Sequence, residues 1–449
     1  MKGSHMKGSV MDRNLDNGFN HNNGFKHKYD LHGIASVASQ VTLPELECFG
    51  VQSLAGGPDV EIRVGNVGVM PRRKIKIVGC PGEVCYQEQL GGLGANFRMD
   101  IGDCIQIKVS HLLAGSPHVV YTNVVEALLR FVMASRGYAL LHSATLEIDG
   151  HGLMLSAHTD TGKTCTILRM LRERGGVFLS DDMSIIAPDG RVFAYPKPLT
   201  ISHHTLRAVD RSSHSFFERM VLVPKSCLHS KHGRGTGMRL ARMNLPIMSM
   251  NAVTQALVPP PKYTIDRLVS CPVGVSTRVE RLFLIARGSR RDEPVKPHEA
   301  LEALTENTDD AYGFPPFKDF APLIILGGED YEALRAKERS VLRHFLKGVQ
   351  VQRLTRDDFS WADDIPRLVR DGLSLAPVTL LTLAPPLTIG EERRVADRRI
   401  ADRRIAVPTL VRDGLSLAPA TDLAFAGPPA IGEDRRIADQ RVADRRMVA

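Results

Sequence analysis

GLMLSAHTDTGKTCTILRMLRERGGVFLSDD, residues 152–182, sets two short apolar runs around a polar turn and an amphipathic segment. Leu153-Met154-Leu155 is an apolar run short enough for a buried strand, and His158-Thr159-Asp160-Thr161-Gly162 is a polar turn. From Lys163-Thr164 the texture becomes amphipathic, with Ile167, Leu168 and Leu171 on one helical face. Gly175-Gly176 break the helix, Val177-Phe178-Leu179 form a second apolar run, and Asp181-Asp182 stand at its end.

Strand, polar turn and helix in this order are the setting a phosphate-binding loop requires. Consecutive backbone N–H groups at a helix N-terminus point at an anion, and the helix dipole reinforces them. The cradle is then Ala157, His158, Thr159, Asp160, Thr161, Gly162, Lys163, Thr164 and Cys165. Lys163 would reach the β- and γ-phosphates of ATP, and the Thr164 hydroxyl would hold Mg2+. The spacing Ala157-x4-Gly162-Lys163-Thr164 departs from G-x-x-x-x-G-K-[ST] at its first glycine, and Asp160 sets an acid in an anion cradle. Asp181-Asp182 fall where a metal-holding carboxylate belongs; the plainer reading of the pair is a solvated turn.

Together with His142-Ser-Ala-Thr-Leu-Glu-Ile-Asp-Gly-His-Gly upstream and Leu179-Ser-Asp-Asp-Met-Ser-Ile downstream, this loop resembles HPr kinase/phosphorylase and its relatives in the phosphoenolpyruvate-carboxykinase-like superfamily. The resemblance covers roughly residues 139–195. It implies an ATP-dependent kinase in which His142, fifteen residues before Ala157, assists. Asp181 would then activate the acceptor hydroxyl, and Asp182 would share Mg2+ with Thr164. The acceptor it implies is a protein serine or a small hydroxylated metabolite. The phosphorylase half of the family's activity is not carried over, because its glycine-rich motif is not recognisable unless Gly233-Arg-Gly-Thr-Gly237 replaces it.

Composition sets the frame. With 449 residues, 43% hydrophobic and 24% charged, the chain reads as soluble and globular, with room for two domains and appendages. Seven cysteines form no CxxC pair, and no second pair or His-x3-His completes a zinc site, so they read as free thiols. No 18-residue apolar run and no basic–apolar–cleavage pattern occur, so the expectation is a cytoplasmic protein without a membrane partner.

Residues 1–27, rich in Met, Lys, Gly, Asn and His, cannot bury a core and read as disordered. From 28 to 117, alternating runs such as Val60-Glu-Ile-Arg-Val and Ile105-Gln-Ile-Lys-Val predict a β-rich N-terminal domain. Residues 118–365 are the expected ATP-binding domain. It opens on a helix over Val124–Met133 with Arg130 turned out, and holds a hairpin about Asp189-Gly190. The Tyr195-Pro-Lys-Pro-Leu stretch follows, read as a loop on the active-site side, and further on a strand at Arg281–Ala286 and helices over 299–304 and 331–346. Between Arg219 and Ile265, 47 residues contain seven Lys or Arg and no acid. This is either a solvated basic loop or a lid for phosphates; with few aromatics, nucleic acid is disfavoured. Residues 366–449 repeat Leu368–Pro377 unchanged at Leu410–Pro419, in two 42-residue units. Two copies do not make a solenoid, and the Pro- and Arg-rich tail reads as disordered.

The fold class expected is α/β with an α+β mixed sheet: a carboxykinase-like kinase core, a β-rich N-terminal domain and a repeat tail. The function expected is transfer of the γ-phosphoryl group of Mg·ATP to a hydroxyl. A nucleotide-binding regulator without transfer is the alternative, favoured by Ala157 and Asp160, and an interaction protein with an accidental loop match stands behind it. Self-association is left open.

Overall fold

Half-buried alternating runs pair edge to edge because each strand has one face to hide and a ladder of N–H and C=O groups to satisfy. In a computed structural model, which describes residues 24–68, 76–80, 82–158, 161–201, 243, 245–312 and 316–373, the first seven such runs form one mixed sheet. Its strands are β1 (His27–Leu31), β2 (Ala35–Ser39), β3 (Val60–Val64), β4 (Lys76–Cys80), β5 (Glu83–Gln87), β6 (Phe97–Ile101) and β7 (Ile105–Val109), in the order β1-β2-β3-β7-β6-β5-β4. β3 is parallel to both neighbours, and the other pairs are antiparallel.

A helical run follows. A π-helical turn at Tyr121–Val125 leads into α1 (Glu126–Ser135). Val124, Val125, Leu128, Leu129 and Val132 are buried, as their spacing predicts. Arg130 is not turned out. It is 2% exposed, its Nε and Nη2 donate to the two carboxylate oxygens of Glu338 at 2.7 and 3.0 Å, and its guanidinium lies 4.6 Å from the Tyr312 ring centre. A partner 208 residues away makes burial of the charge tolerable, and no local period can reveal it.

The second sheet carries the site. Its elements are β8 (Ala139–Leu141), β9 (Ala144–Ile148), β10 (His151–Ser156), α2 (Lys163–Arg174), β11 (Val177–Ser180), β12 (Ser184–Ile186) and β13 (Arg191–Phe193). A two-stranded ribbon joins β14 (Leu199–Thr200) to β15 (Lys262–Tyr263), and α3 (Ile247–Leu257) lies between them in the chain. Then come β16 (Ser276–Arg287), β17 (Arg291–Pro294), α4 (Pro297–Ala311), α5 (Tyr331–Phe345), β18 (Gln350–Arg356) and α6 (Trp361–Leu373). The order is β11-β9-β10-β16-β13-β12-β8, with β18 parallel to β16 and β17 antiparallel to β18. The chain is thus a mixed α/β protein with mixed sheets. The 184–193 hairpin, the Arg281–Ala286 strand and the helices over 299–304 and 331–345 stand where the sequence puts them.

Strand β10 is apolar on both faces because both are covered. Leu153 and Leu155 join Ile167, Leu168 and Leu171 of α2 and Trp361 and Ile365 of α6. Met154 points the other way, to Leu304 of α4 and Leu342 and Phe345 of α5. A third apolar cluster unites Val60 and Phe97 of the first sheet, Leu128 and Phe131 of α1, and Met183, Ile185 and Tyr195 of the second. That cluster takes residues from both sides of position 117, Leu113 and Val119 among them, and all described residues belong to one unit within 1–376.

Helix α6 runs past residue 366, the expected start of the tail, because Ile365 and Val369 bury against the α2 side. Residues 374–449, the rest of the repeat, lie outside the described residues, as do residues 1–23 and the basic stretch from Arg219 through Arg242. No helix among the described residues is long and apolar enough to cross a membrane.

Candidate functional site

The connections that leave β8, β10 and β11 come together in the second sheet. β9 is antiparallel to both β10 and β11, so those two run the same way and deliver the 157–162 turn and Asp181-Asp182 to one side. Ser184 at the start of β12 pairs with Leu141 at the end of β8, which sets His142 beside the acid pair.

The turn after β10 is closed by its own side chains. Thr161 donates both its N–H and its hydroxyl to the carbonyl of His158, the latter at 2.8 Å. Gly162 then opens α2 at φ 119°, a conformation that disfavours any Cβ, and the Thr166 hydroxyl donates to its carbonyl at 3.0 Å. Ala157 is buried and is not among the residues of positive φ; the two described non-glycine residues that are, His32 and Asp149, lie elsewhere. The missing first glycine therefore costs the turn nothing. His158 is exposed, Cys165 is a half-buried thiol, and Thr159 and Asp160 lie outside the described residues.

Two charged groups of opposite sign are buried here with unfilled valences. The Lys163 ammonium and Asp181 Oδ1 are both buried, and neither atom has a hydrogen-bond partner among the described residues. Burial lowers the Lys163 pKa, against the pull of Asp182 and Asp181. Burial pushes Asp181 up to about 6, although Lys163 opposes it. Each group's charge is under-compensated, so the pair calls for an anion at Lys163 and a cation at Asp181.

The acid pair divides its labour. Thr164 Oγ1 donates to Asp181 Oδ2 at 2.8 Å. Asp182 faces the other way, with His142 Nε2 3.1 Å from Oδ1 and Lys197 Nζ 2.6 Å from Oδ2. The site wall's burial would raise the Asp182 pKa, but Lys197, then His142 and Lys163, hold it well below the usual carboxylate range. Its side chain is still 43% exposed, so it lies at the mouth.

His142 is set from behind. Its Nδ1 lies 3.1 Å from the Asn307 carbonyl oxygen, and Asn307 Nδ2 donates to Ser156, whose hydroxyl donates to the His142 carbonyl. Its two ring nitrogens thus face the Asn307 carbonyl on one side and the Asp182 carboxylate on the other.

Lys197 is the residue that sequence reasoning missed. It is 8% exposed and bridges Asp182 to Glu126, the latter at 2.8 Å, with its ammonium 5.6 Å from the Tyr121 ring centre. Burial would lower its pKa, yet the Asp182 and Glu126 carboxylates outweigh that and raise it. The signal was a lysine between two prolines in Tyr195-Pro-Lys-Pro-Leu, a loop already read as facing the site. Of the seven basic residues in the stretch from Arg219, Lys262 is the only one among the described residues. It pairs with buried Glu45 rather than with this site.

Among the described residues no group of three or more His, Cys, Asp or Glu side chains could cage a metal. Mg2+ bound together with phosphates does not need one, since one or two carboxylates suffice. The donor set fits such an ion: a hydroxyl that donates to a carboxylate keeps its lone pairs, and Asp181 Oδ1 is unfilled.

No protein-family model matches the chain, and no curated protein matches it. Among solved structures it is similar to the Hpr(Ser) kinase/phosphatase from Coxiella burnetii, over 52% of this chain and 96% of that one, at 10% identity and a TM-score of 0.20. So distant a likeness carries no weight for the site's chemistry.

Proposed function

We propose that the chain is an ATP-dependent phosphotransferase acting on a hydroxyl. The observation that carries this reading is the pair of orphaned, oppositely charged groups, Lys163 Nζ and Asp181 Oδ1, beside the hydroxyl of Thr164 and the N-terminus of α2. A Mg·triphosphate supplies both missing charges at once. Lys163 neutralises the terminal phosphates as the helix N–H groups hold them. Mg2+, held by Thr164 and Asp181, neutralises phosphate oxygens when bound.

The roles of the two acids are exchanged relative to the resemblance. Asp182 has both oxygens engaged, by His142 and Lys197, and has little left for a metal, whereas Asp181 already holds the Thr164 hydroxyl. Asp182 at the mouth orients the acceptor. The acceptor oxygen bonds to the γ-phosphorus as the bond to the β–γ bridging oxygen breaks, ADP departs, and the hydroxyl proton passes to Asp182. A low Asp182 pKa is acceptable because phosphoryl transfer asks mainly for positioning and charge stabilisation. Lys197 and His142 fix the Asp182 carboxylate and face the charge that develops.

γ-Labelled ATP incubated with the protein and a host lysate, split into protein and small-molecule fractions, tests this. Label should move to one fraction with the wild type and not with Lys163→Ala. Tight ATP binding without transfer would favour the nucleotide-binding regulator. No binding of any nucleotide would overturn both readings.

A further inference from the structure

An aromatic ring stands open beside the 161–162 turn. Phe359 is the one aromatic among the seven exposed large hydrophobic residues described, at 42% exposure. It arrives from the bend between β18 and α6, and it lies so close to Gly162 that a Cβ there would overlap its ring. Arg287, at the end of β16, fixes both parts. Its Nε donates to the Thr161 carbonyl at 2.9 Å, and its Nη1 donates to the carbonyls of Asp357 and Asp358 at 3.1 and 2.9 Å. Its guanidinium lies 4.0 Å from the Phe359 ring centre and 4.8 Å from that of Trp361. Trp361 is fully buried and anchored through Nε1 to the Leu354 carbonyl.

Gly162, Arg287 and Trp361 thus hold one exposed ring at a set place, one residue from Lys163. Among the described residues nothing packs on the ring's open surface, and water gains nothing from an apolar plate. Arg287 leaves its planar cation on one side of the ring, a cation–π contact that keeps the plate rigid. Resting on the reading of the 157–164 turn as a triphosphate seat, we propose that Phe359 is the platform on which the purine base of the bound nucleotide stacks. The phosphates and the base then lie on either side of the Thr161–Gly162 turn, and Arg287 couples the two. A base stacked on a plate already immobilised forfeits little side-chain freedom on binding.

The test titrates the full chain with ATP and, separately, with inorganic tripolyphosphate, by calorimetry and by the emission of Trp361, the single tryptophan of the sequence. Phe359→Ala should bind ATP about tenfold more weakly and tripolyphosphate as the wild type does, the loss expected for one stacked base. Phe359→Tyr should restore ATP affinity, and Lys163→Ala should lose both ligands. If Phe359→Ala fails to fold, Phe359→Leu keeps the bulk against Gly162 and lacks the π face, and the same pattern is expected of it. ATP affinity unchanged in these variants, or equal losses for both ligands, would overturn the platform while leaving the phosphate seat standing. A wild type that binds neither ligand would overturn seat and platform together.

Discussion

Two places in this molecule bury a cation next to carboxylates, and they are finished to different degrees. At the Arg130 site, Glu338 takes two guanidinium donors, Asp309 takes a third contact at 3.0 Å, Arg335 closes the cluster from the far side, and Tyr312 lies against the guanidinium. At the Lys163 site the ammonium has no hydrogen-bond partner and Asp181 Oδ1 has none. The first arrangement is complete without a ligand and behaves as structure. The second costs free energy on burial and is left open, and the proposed triphosphate seat would fill it.

That contrast can be broken by substitution. The largest effect belongs to the finished pair: Glu338→Ala strands Arg130 in the interior and should cost about 3–5 kcal/mol in urea unfolding, with turnover per folded molecule intact. Lys163→Met should behave in the opposite way, losing turnover by about a thousandfold, or about 4 kcal/mol of barrier, while its melting temperature holds or rises. A fall in stability as large as that of Glu338→Ala would erase the distinction.

Asp181→Asn sharpens it further. The folded pKa of Asp181, about 6, lies above its ordinary value of 3.8, so the native state holds a proton that the unfolded state has already released between those values. Stability therefore falls as pH rises from about 4 to 6, and the loss is complete above that. Asn carries no charge, so Asp181→Asn should exceed the wild type by on the order of 2 kcal/mol at pH 7.5. The gap should close below about pH 4 and shrink when Mg·ATP is added. A gap independent of pH would refute this account. The smallest effect expected is that of Lys197→Met, a loss of about ten- to a hundredfold in kcat with ATP affinity unchanged; weaker ATP binding instead would move Lys197 to the nucleotide side.

The strand–turn–helix at 152–174 was legible because local texture dictates it, and so were the 184–193 hairpin and the Arg281–Ala286 strand. What escaped was whatever depends on a partner far along the chain. Arg130 sits on a helix whose period says nothing of Glu338, and Lys197 becomes a site residue only when β12 and β13 fold it back toward Asp182. Adjacent acids at the end of β11 read alike in sequence. The backbone turns one to Thr164 and the other to His142, a distinction of direction that no composition encodes. Phe359 reads as an ordinary apolar residue until its ring meets Gly162, 197 positions earlier.

The apolar interior common to the two sheets has a thermodynamic consequence. Strands β1–β7 cannot lose their cover without exposing α1 and the Met183–Tyr195 segment as well. Heat should therefore melt both sheets in a single calorimetric peak, and slow-exchanging amides of the N-terminal sheet should gain protection when a nucleotide fills the distant turn. A ligand at one end stabilises the whole body, so any label placed on β3 or β7 becomes a remote gauge of occupancy.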